Sequence, residues 1–283
     1  MMAILPGKQV EPTHKRKLNL PRPWAIQECV KLEDLDMSMN KRPFLRSNHW
    51  EELQIFETDQ NRKILPPPIQ KPAPEGARLI PLVSPRDFRV GQTPLLEVIR
   101  ARRSERVYTD ELLSFEEISF LLWITQGISK TYSGGLASLR TVPSAGARHP
   151  FETYLLIQHV EELDPGLYRY LPLEHVVFLE NQDEHLPAQI HSASYEQHVQ
   201  DCAVAFIWTA VPYRTEWRYG DISPKLIALD AGHLCQNLYL GCVAIGAGAC
   251  AIGAYDQNEL DQILDIDGFD ELAIYMATVG KLD

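Results

Sequence analysis

Residues Leu229 to Asp256, LDAGHLCQNLYLGCVAIGAGACAIGAYD, decide between two fold classes. Glycines that cradle a dinucleotide follow a strand and open a helix, in the spacing GxGxxG. Here the order is reversed. A helix that Pro224 can start runs first, through Leu226, Leu229, Leu234, Leu238 and Leu240, and the glycines come after it as GxGxxxxG from Gly246 to Gly253. A dinucleotide-binding fold is excluded on that order, and close backbone approach to a flat ligand remains. The helix is apolar on most faces and carries Ala228, Ala231, Gly232 and Cys235. Such a helix belongs in a core or a subunit interface.

Upstream, Arg140 to Pro150 (RTVPSAGARHP) precedes the apolar run Thr153–Ile157. Pro143 and Pro150 stiffen the backbone, while Ser144, Ala145, Gly146 and Ala147 leave room for a ligand to touch main chain. An ordinary loop is the alternative. Further upstream stands Arg102-Arg103-Ser104-Glu105-Arg106. Arginines suit a helix carboxy terminus, where they complement its dipole. They also make an anion clamp, because guanidinium forks match phosphate oxygens. Both readings stay open on the residues alone.

The remaining signals are helical and strand segments in irregular alternation. Thr93-Pro94 reads as an N-cap and first-turn proline, and Ser114-Phe-Glu-Glu117 as a capping box on a helix that Gly127 closes. Strands are expected at Tyr154–Val160, Leu167–Leu171, Val176–Leu179, Cys202–Ala210 and Leu272–Val279, with a short helix near Asp256–Leu264. Regular βαβ spacing is absent, which favours an α+β layered fold. Residues 1–90 read as a proline-containing leader around a domain at 91–283. Its stretch Ile64–Pro74 should run extended and wrap a surface, and Trp24 and Trp50 suggest that it packs.

Composition excludes other classes. A formal net charge of −11 argues against a nucleic-acid partner. No run of eighteen or more apolar residues exists, so no membrane span is expected. Five cysteines without a CxxC spacing point to a reduced, cytoplasmic setting. His185, His191 and His198 lack the spacing of a metal pair and read as surface residues; no metal site is expected. No GxSxG elbow is present, and Cys202 lies in an apolar strand, which removes the hydrolase readings.

Four pieces in this order, ARRSER, VPSAGARHP, the stretch at Leu229–Asp256 and IYMATVG, resemble the FMN-dependent nitroreductase superfamily over roughly residues 90–280. PSAGARHP with a proline-bearing leader resembles its SagB-type branch, which includes azoline dehydrogenases acting on peptides. The resemblance implies a three-layer α+β sandwich with a central mixed or antiparallel sheet, long dimer-interface helices, and FMN held between the subunits of a homodimer. By position, Arg102, Arg103, Ser104 and Arg106 would hold the phosphate and ribityl chain. Pro143, Ser144, Ala145, Gly146 and Arg148 would cover the ring from the other subunit. Ile252, Gly253 and Ala254 would pack on it, with the Gly253 amide near N5, and Gln197 would reach the pyrimidine edge.

Two departures from the family pattern carry expectations. The chain ends Val279-Gly-Lys-Leu-Asp283 where relatives often continue with a basic tail, so Lys281 is a candidate substitute. The branch's Lys-Tyr pair falls at Arg218-Tyr219. Arginine stays protonated and is a poor base, which leaves Tyr219 as the candidate proton-transfer group and Arg218 as its neighbouring cation. The plain alternative is that Tyr219 packs and Arg218 pairs with Asp221. The implied activity is hydride exchange through flavin N5 with a small-molecule or peptide substrate. It would be fed by NAD(P)H in a reductase, or reoxidised by another acceptor in a dehydrogenase. An azoline-oxidising peptide dehydrogenase in a biosynthetic complex and a flavin-binding partner subunit without turnover are the alternatives.

Overall fold

The computed structural model describes residues 44–45, 47, 57–132 and 136–283. The chain divides into two compact units, residues 1–45 and 46–283, and every element below belongs to the second. Trp24, Trp50 and Cys29 lie outside the described residues.

A seven-stranded sheet carries the fold. Its strands are β1 (Ile80–Pro81), β4 (Phe151–Ile157), β5 (Gly166–Leu171), β6 (Val176–Asn181), β7 (Val204–Ala210), β8 (Ala247–Ile252) and β9 (Leu272–Lys281). The spatial order is β1-β6-β5-β4-β7-β9-β8, and every pairing is antiparallel. A separate hairpin pairs β2 (Ile128–Tyr132) with β3 (Ala137–Arg140). The strands of the centre are buried on both faces, so they read as continuous apolar runs. Side chains still alternate: Leu155, Ile157, Phe206 and Trp208 enter one core, and Tyr154, Leu156, Ala205 and Ile207 the other.

Helices cover both faces. Helix α2 (Phe115–Gln126) and the long α5 (Ser223–Ala244) supply the first core, while α3 (Leu186–Ala193) and α6 (Gln257–Ile263) supply the second. The result is the three-layer α+β sandwich that the resemblance implies. Helix α1 (Leu95–Ala101) packs on α5, and α4 (Tyr213–Tyr219) leads into α5. The capping box on α2 forms as read: the Glu117 amide donates to Ser114 Oγ at 3.2 Å and the Ser114 amide to Glu117 Oε2 at 2.8 Å.

Some expectations are corrected. Thr93 does not cap α1; its hydroxyl donates to the Ala244 carbonyl at the end of α5 instead. Helix α5 buries a stripe of Ile227, Ala231, Leu234, Leu238 and Cys242, while Leu229, Gly232, His233 and Gln236 face outward. The glycine run contains β8, whose small residues let the chain beside it come close. Strand β4 runs from Phe151 to Ile157, where Tyr154–Val160 is expected. Of the three histidines, His185 is exposed but His191 and His198 are half-buried.

The proline-rich stretch is stitched to the core by its carbonyls. Prolines carry no N–H, so residues 64–74 offer mainly acceptors. Buried donors take them: Trp217 Nε1 to Ile64 O (2.9 Å), Arg214 Nε to Pro68 O (2.8 Å), Arg140 Nη2 to Ile69 O (2.8 Å) and Arg169 Nη2 to Pro72 O (2.8 Å). The Lys71 amide donates to buried Glu152 at 2.8 Å.

Candidate active site

Helix α5 is the spine along which the expected site residues are strung. Asp230 and Tyr239, nine residues apart, stand about 13 Å from each other along it at 1.5 Å per residue. Each organises a different group.

At Tyr239, the segment Arg102–Tyr108 lies along the edge of the sheet. The Glu105 amide donates to Ala249 O at 2.9 Å, and a Cβ on Gly248 would stand 2.7 Å from Glu105 Cβ, so only glycine allows this approach. Ser104 Oγ and the Tyr239 hydroxyl share a hydrogen bond at 3.0 Å, and the Ala251 amide donates to the same hydroxyl at 2.8 Å. Arg102 sits over the Tyr239 ring at 5.4 Å. Arg106 lies beside the Cys250 thiol, which burial keeps above the usual thiol range. Among the described residues no carboxylate pairs with Arg102, Arg103 or Arg106. Arg103 also meets the helix end, where its Nη1 donates to Arg100 O at 3.1 Å and to Arg102 O at 2.7 Å.

Lys281 does not join them. Its ammonium donates to Glu117 Oε1 at 2.6 Å, with both side chains largely buried. Its expected role as a substitute for a basic tail is therefore corrected: the charge is spent tying β9 to the first turn of α2.

At Asp230, the loop Pro143–Pro150 is held in an uncommon conformation. Gly146, Ala147 and His149 all have positive φ, at 57°, 53° and 47°. For alanine and histidine this left-handed geometry costs on the order of 1 kcal/mol or more each, and surrounding bonds must hold it. Asp230 supplies them: Ser144 Oγ donates to Oδ2 at 2.6 Å and the Ala145 amide to the same carboxylate at 3.1 Å, while the His149 amide donates to Ser144 Oγ at 2.9 Å. Burial pushes the Asp230 carboxyl up, and the Ser144 and Ala145 donors offset part of that. Burial and the nearby Arg140 and Arg148 push His149 down to about 3, so it is neutral.

The same loop meets Arg218 and Tyr219. A Cβ on Gly146 would stand 2.7 Å from both Arg218 Cδ and the Tyr219 hydroxyl oxygen. Arg148, buried, donates from Nε to Gly146 O at 3.3 Å and lies over the Trp217 ring at 5.0 Å. Among the described residues Arg218 makes no ion pair with Asp221, which removes that part of the plain reading; its guanidinium stands 5.6 Å from the Tyr219 ring centroid.

The third group follows from β8. Ile252 is buried at its end, and Gly253 and Ala254 are exposed beyond it. Gln197 ties this turn to α3 by donating Nε2 to Ala254 O and Ser194 O, both at 2.8 Å. Pro143 is exposed and makes no side-chain bond that singles it out.

Sequence reading missed Asp230, Tyr239 and Trp217. One signal was available: Asp230 is the single acidic residue in α5, and a carboxylate alone in an apolar helix needs donors.

Relatives of known name bear on this arrangement. A Methanocaldococcus jannaschii protein named as a nitroreductase is 30% identical over 193 residues, 68% of this chain and 93% of that one. The trifolitoxin-processing protein TfxB of Rhizobium leguminosarum bv. trifolii is 26% identical over 177 residues; this chain spans 48% of its length. A Ralstonia eutropha structure named as a nitroreductase superposes with a TM-score of 0.60 at 24% identity, covering 77% of this chain and 98% of the other. The description "Nitroreductase family" matches residues 99–281, which take in the arginine cluster, the Pro143–Pro150 loop, α5 and β8, and the chain belongs to that family.

Proposed function

We propose that this chain is an FMN-dependent oxidoreductase of the SagB type that works as a homodimer. The observation that carries the reading is the set of guanidiniums at Arg102, Arg103 and Arg106, which have no carboxylate partner among the described residues, beside a Tyr239–Ser104–Ala251 network at the end of β8. FMN, when bound, supplies two-electron hydride exchange at its N5. The chain's own residues do the rest. Arg102, Arg103, Ser104 and Arg106 bind the phosphate and ribityl oxygens. Ile252, Gly253 and Ala254 offer apolar contact and bare backbone, with Gln197 fixing that turn. The Pro143–Arg148 loop, held by Asp230, is the cover that excludes water. Tyr219 holds the proton that the substrate side needs, next to Arg218.

The peptide alternative draws on a relative whose printed name describes the processing of trifolitoxin. Whether electrons arrive from NAD(P)H is decided by steady-state NAD(P)H oxidation with the purified protein. The test of the cofactor reading is its content: the protein is expected to purify with about one FMN per chain. Arg102→Ala and Arg106→Ala are each expected to lower FMN affinity about ten-fold or more without unfolding the protein, because hydrogen bonds to charged groups contribute roughly 1.5–3 kcal/mol. Variants that hold FMN as the parent does would leave the arginines as helix-end charges.

The homodimer rests on an apolar surface. Leu95, Leu96 and Ile99 of α1 are 65%, 58% and 54% exposed, and Leu229 of the adjoining α5 is 54% exposed. Large apolar side chains exposed together on one helix, as on α1, mark an association site more often than a monomer surface. Sedimentation is expected to find a dimer, and Leu96→Glu with Ile99→Glu to weaken it at least ten-fold. A flavin-loaded monomer would contradict the claim that the loop covers a site on the other subunit.

A further inference from the structure

Arg148 and Arg218 form a second basic group, separate from the phosphate clamp along the chain and in its surroundings. Arg148 is 8% exposed, its Nε is spent on Gly146 O, and its two terminal nitrogens have no partner among the described residues. Arg218 is exposed and lies against Gly146 of the same loop. The Trp217 ring lies under Arg148 and the Tyr219 ring beside Arg218. Asp230, the carboxylate that holds the loop, is taken up by Ser144 and Ala145. Among the described residues no carboxylate pairs with either cation. Arg148 is held below the usual arginine range first by burial and then by Arg218, which reports that same proximity.

We propose that Arg148 and Arg218 bind a carboxylate carried on the organic substrate, so that the site selects acids whose reacting bond lies close to Tyr219. The inference rests on the oxidoreductase reading above and names the substrate class for it. The chemistry is specific. A guanidinium fork matches a carboxylate in two parallel bonds. The Trp217 and Tyr219 rings add apolar contact that a bare inorganic anion cannot use. Gly146, at a φ of 57°, brings main chain against both groups, since a Cβ there would stand 2.7 Å from Arg218 Cδ and from Tyr219 Oη.

The probes are 4-nitrobenzoate and 4-nitrobenzamide, alike in shape and different in charge, titrated calorimetrically into the protein as purified. The acid is expected to bind at least ten-fold tighter than the amide, and Arg218→Gln to abolish that preference. Arg148→Lys, which keeps the charge and loses the fork, is expected to reduce the preference several-fold. Equal binding of the two probes by the parent, or an unchanged preference in Arg218→Gln, overturns the proposal. FMN and riboflavin are compared in the same variants. If Arg218→Gln brings FMN affinity down to that of riboflavin, the pair holds the cofactor's phosphate, and the substrate assignment fails. Flavin content, measured on each preparation, keeps the two readings apart. A protein that holds FMN but ignores the carboxylate sinks this inference alone, and one that prefers the acid but holds no flavin sinks the cofactor reading alone.

Discussion

Arg214→Leu is expected to destabilise the protein by about 3–5 kcal/mol. Arg214 is 3% exposed and Glu152 1% exposed, and the guanidinium donates to Glu152 Oε1 and to Pro68 O. Taking one member from a buried ion pair leaves a charge in a medium that cannot solvate it. Glu152 is poorly placed to tolerate this, since its other oxygen, Oε2, is buried with no hydrogen-bond partner among the described residues. The Pro68 carbonyl would lose its donor as well, loosening the 64–74 stretch from the core. The control is Arg214→Leu with Glu152→Leu. Replacing both charges by apolar groups is often close to neutral, so the double variant is expected to recover most of the lost stability. Urea unfolding of the two variants decides it; a single variant within 1 kcal/mol of the parent would show that the pair contributes nothing.

Tyr219→Phe is expected to slow turnover roughly 10²–10⁴-fold, the range that positioned acid–base help gives. The substitution keeps the ring and deletes one hydroxyl, whose oxygen stands at the edge of the Gly146 loop with Arg218 alongside. Flavin content and the reduction of the flavin by its donor are expected to stay as in the parent, because the arginines proposed to bind the phosphate are elsewhere. The measurement is therefore split: stopped-flow reduction on one side, steady-state turnover with the acceptor substrate on the other. A fall in both would make Tyr219 a structural support for the loop. Turnover equal to that of the parent would leave it a packing residue.

Local signals were legible wherever one residue fixes its neighbours. The Ser114–Glu117 capping box, the helix opened near Pro224 and the apolar runs of β4, β5, β7 and β9 all depend on contacts within a few residues or on periodicity along one element. Signals that needed a distant partner misled. Thr93 beside Pro94 looks like a cap, but its hydroxyl found the Ala244 carbonyl, 151 residues away. Lys281 looks like a free cation at the end of the chain, but Glu117, 164 residues away, takes it. The glycine run carries no strand signal of its own, because small residues have low strand propensity, and residues Ala247 to Ile252 form a strand because β9 pairs with them.

The sequence by itself determined the class of the fold and the order of its pieces, since helix, glycine run and strand periodicity are written in neighbouring residues. It also placed the arginines and the PSAGA loop in a recognisable order along the chain. Only the tertiary structure decided which side chains hold them: Asp230 under the loop, Tyr239 between Ser104 and Ala251, Trp217 and Arg148 beside Arg218. These are contacts between elements up to 135 residues apart. A hydrogen bond across that distance depends on how two faces pack, and burial, which leaves each polar group one choice of partner, is a property of the packed layers and of no single stretch of chain.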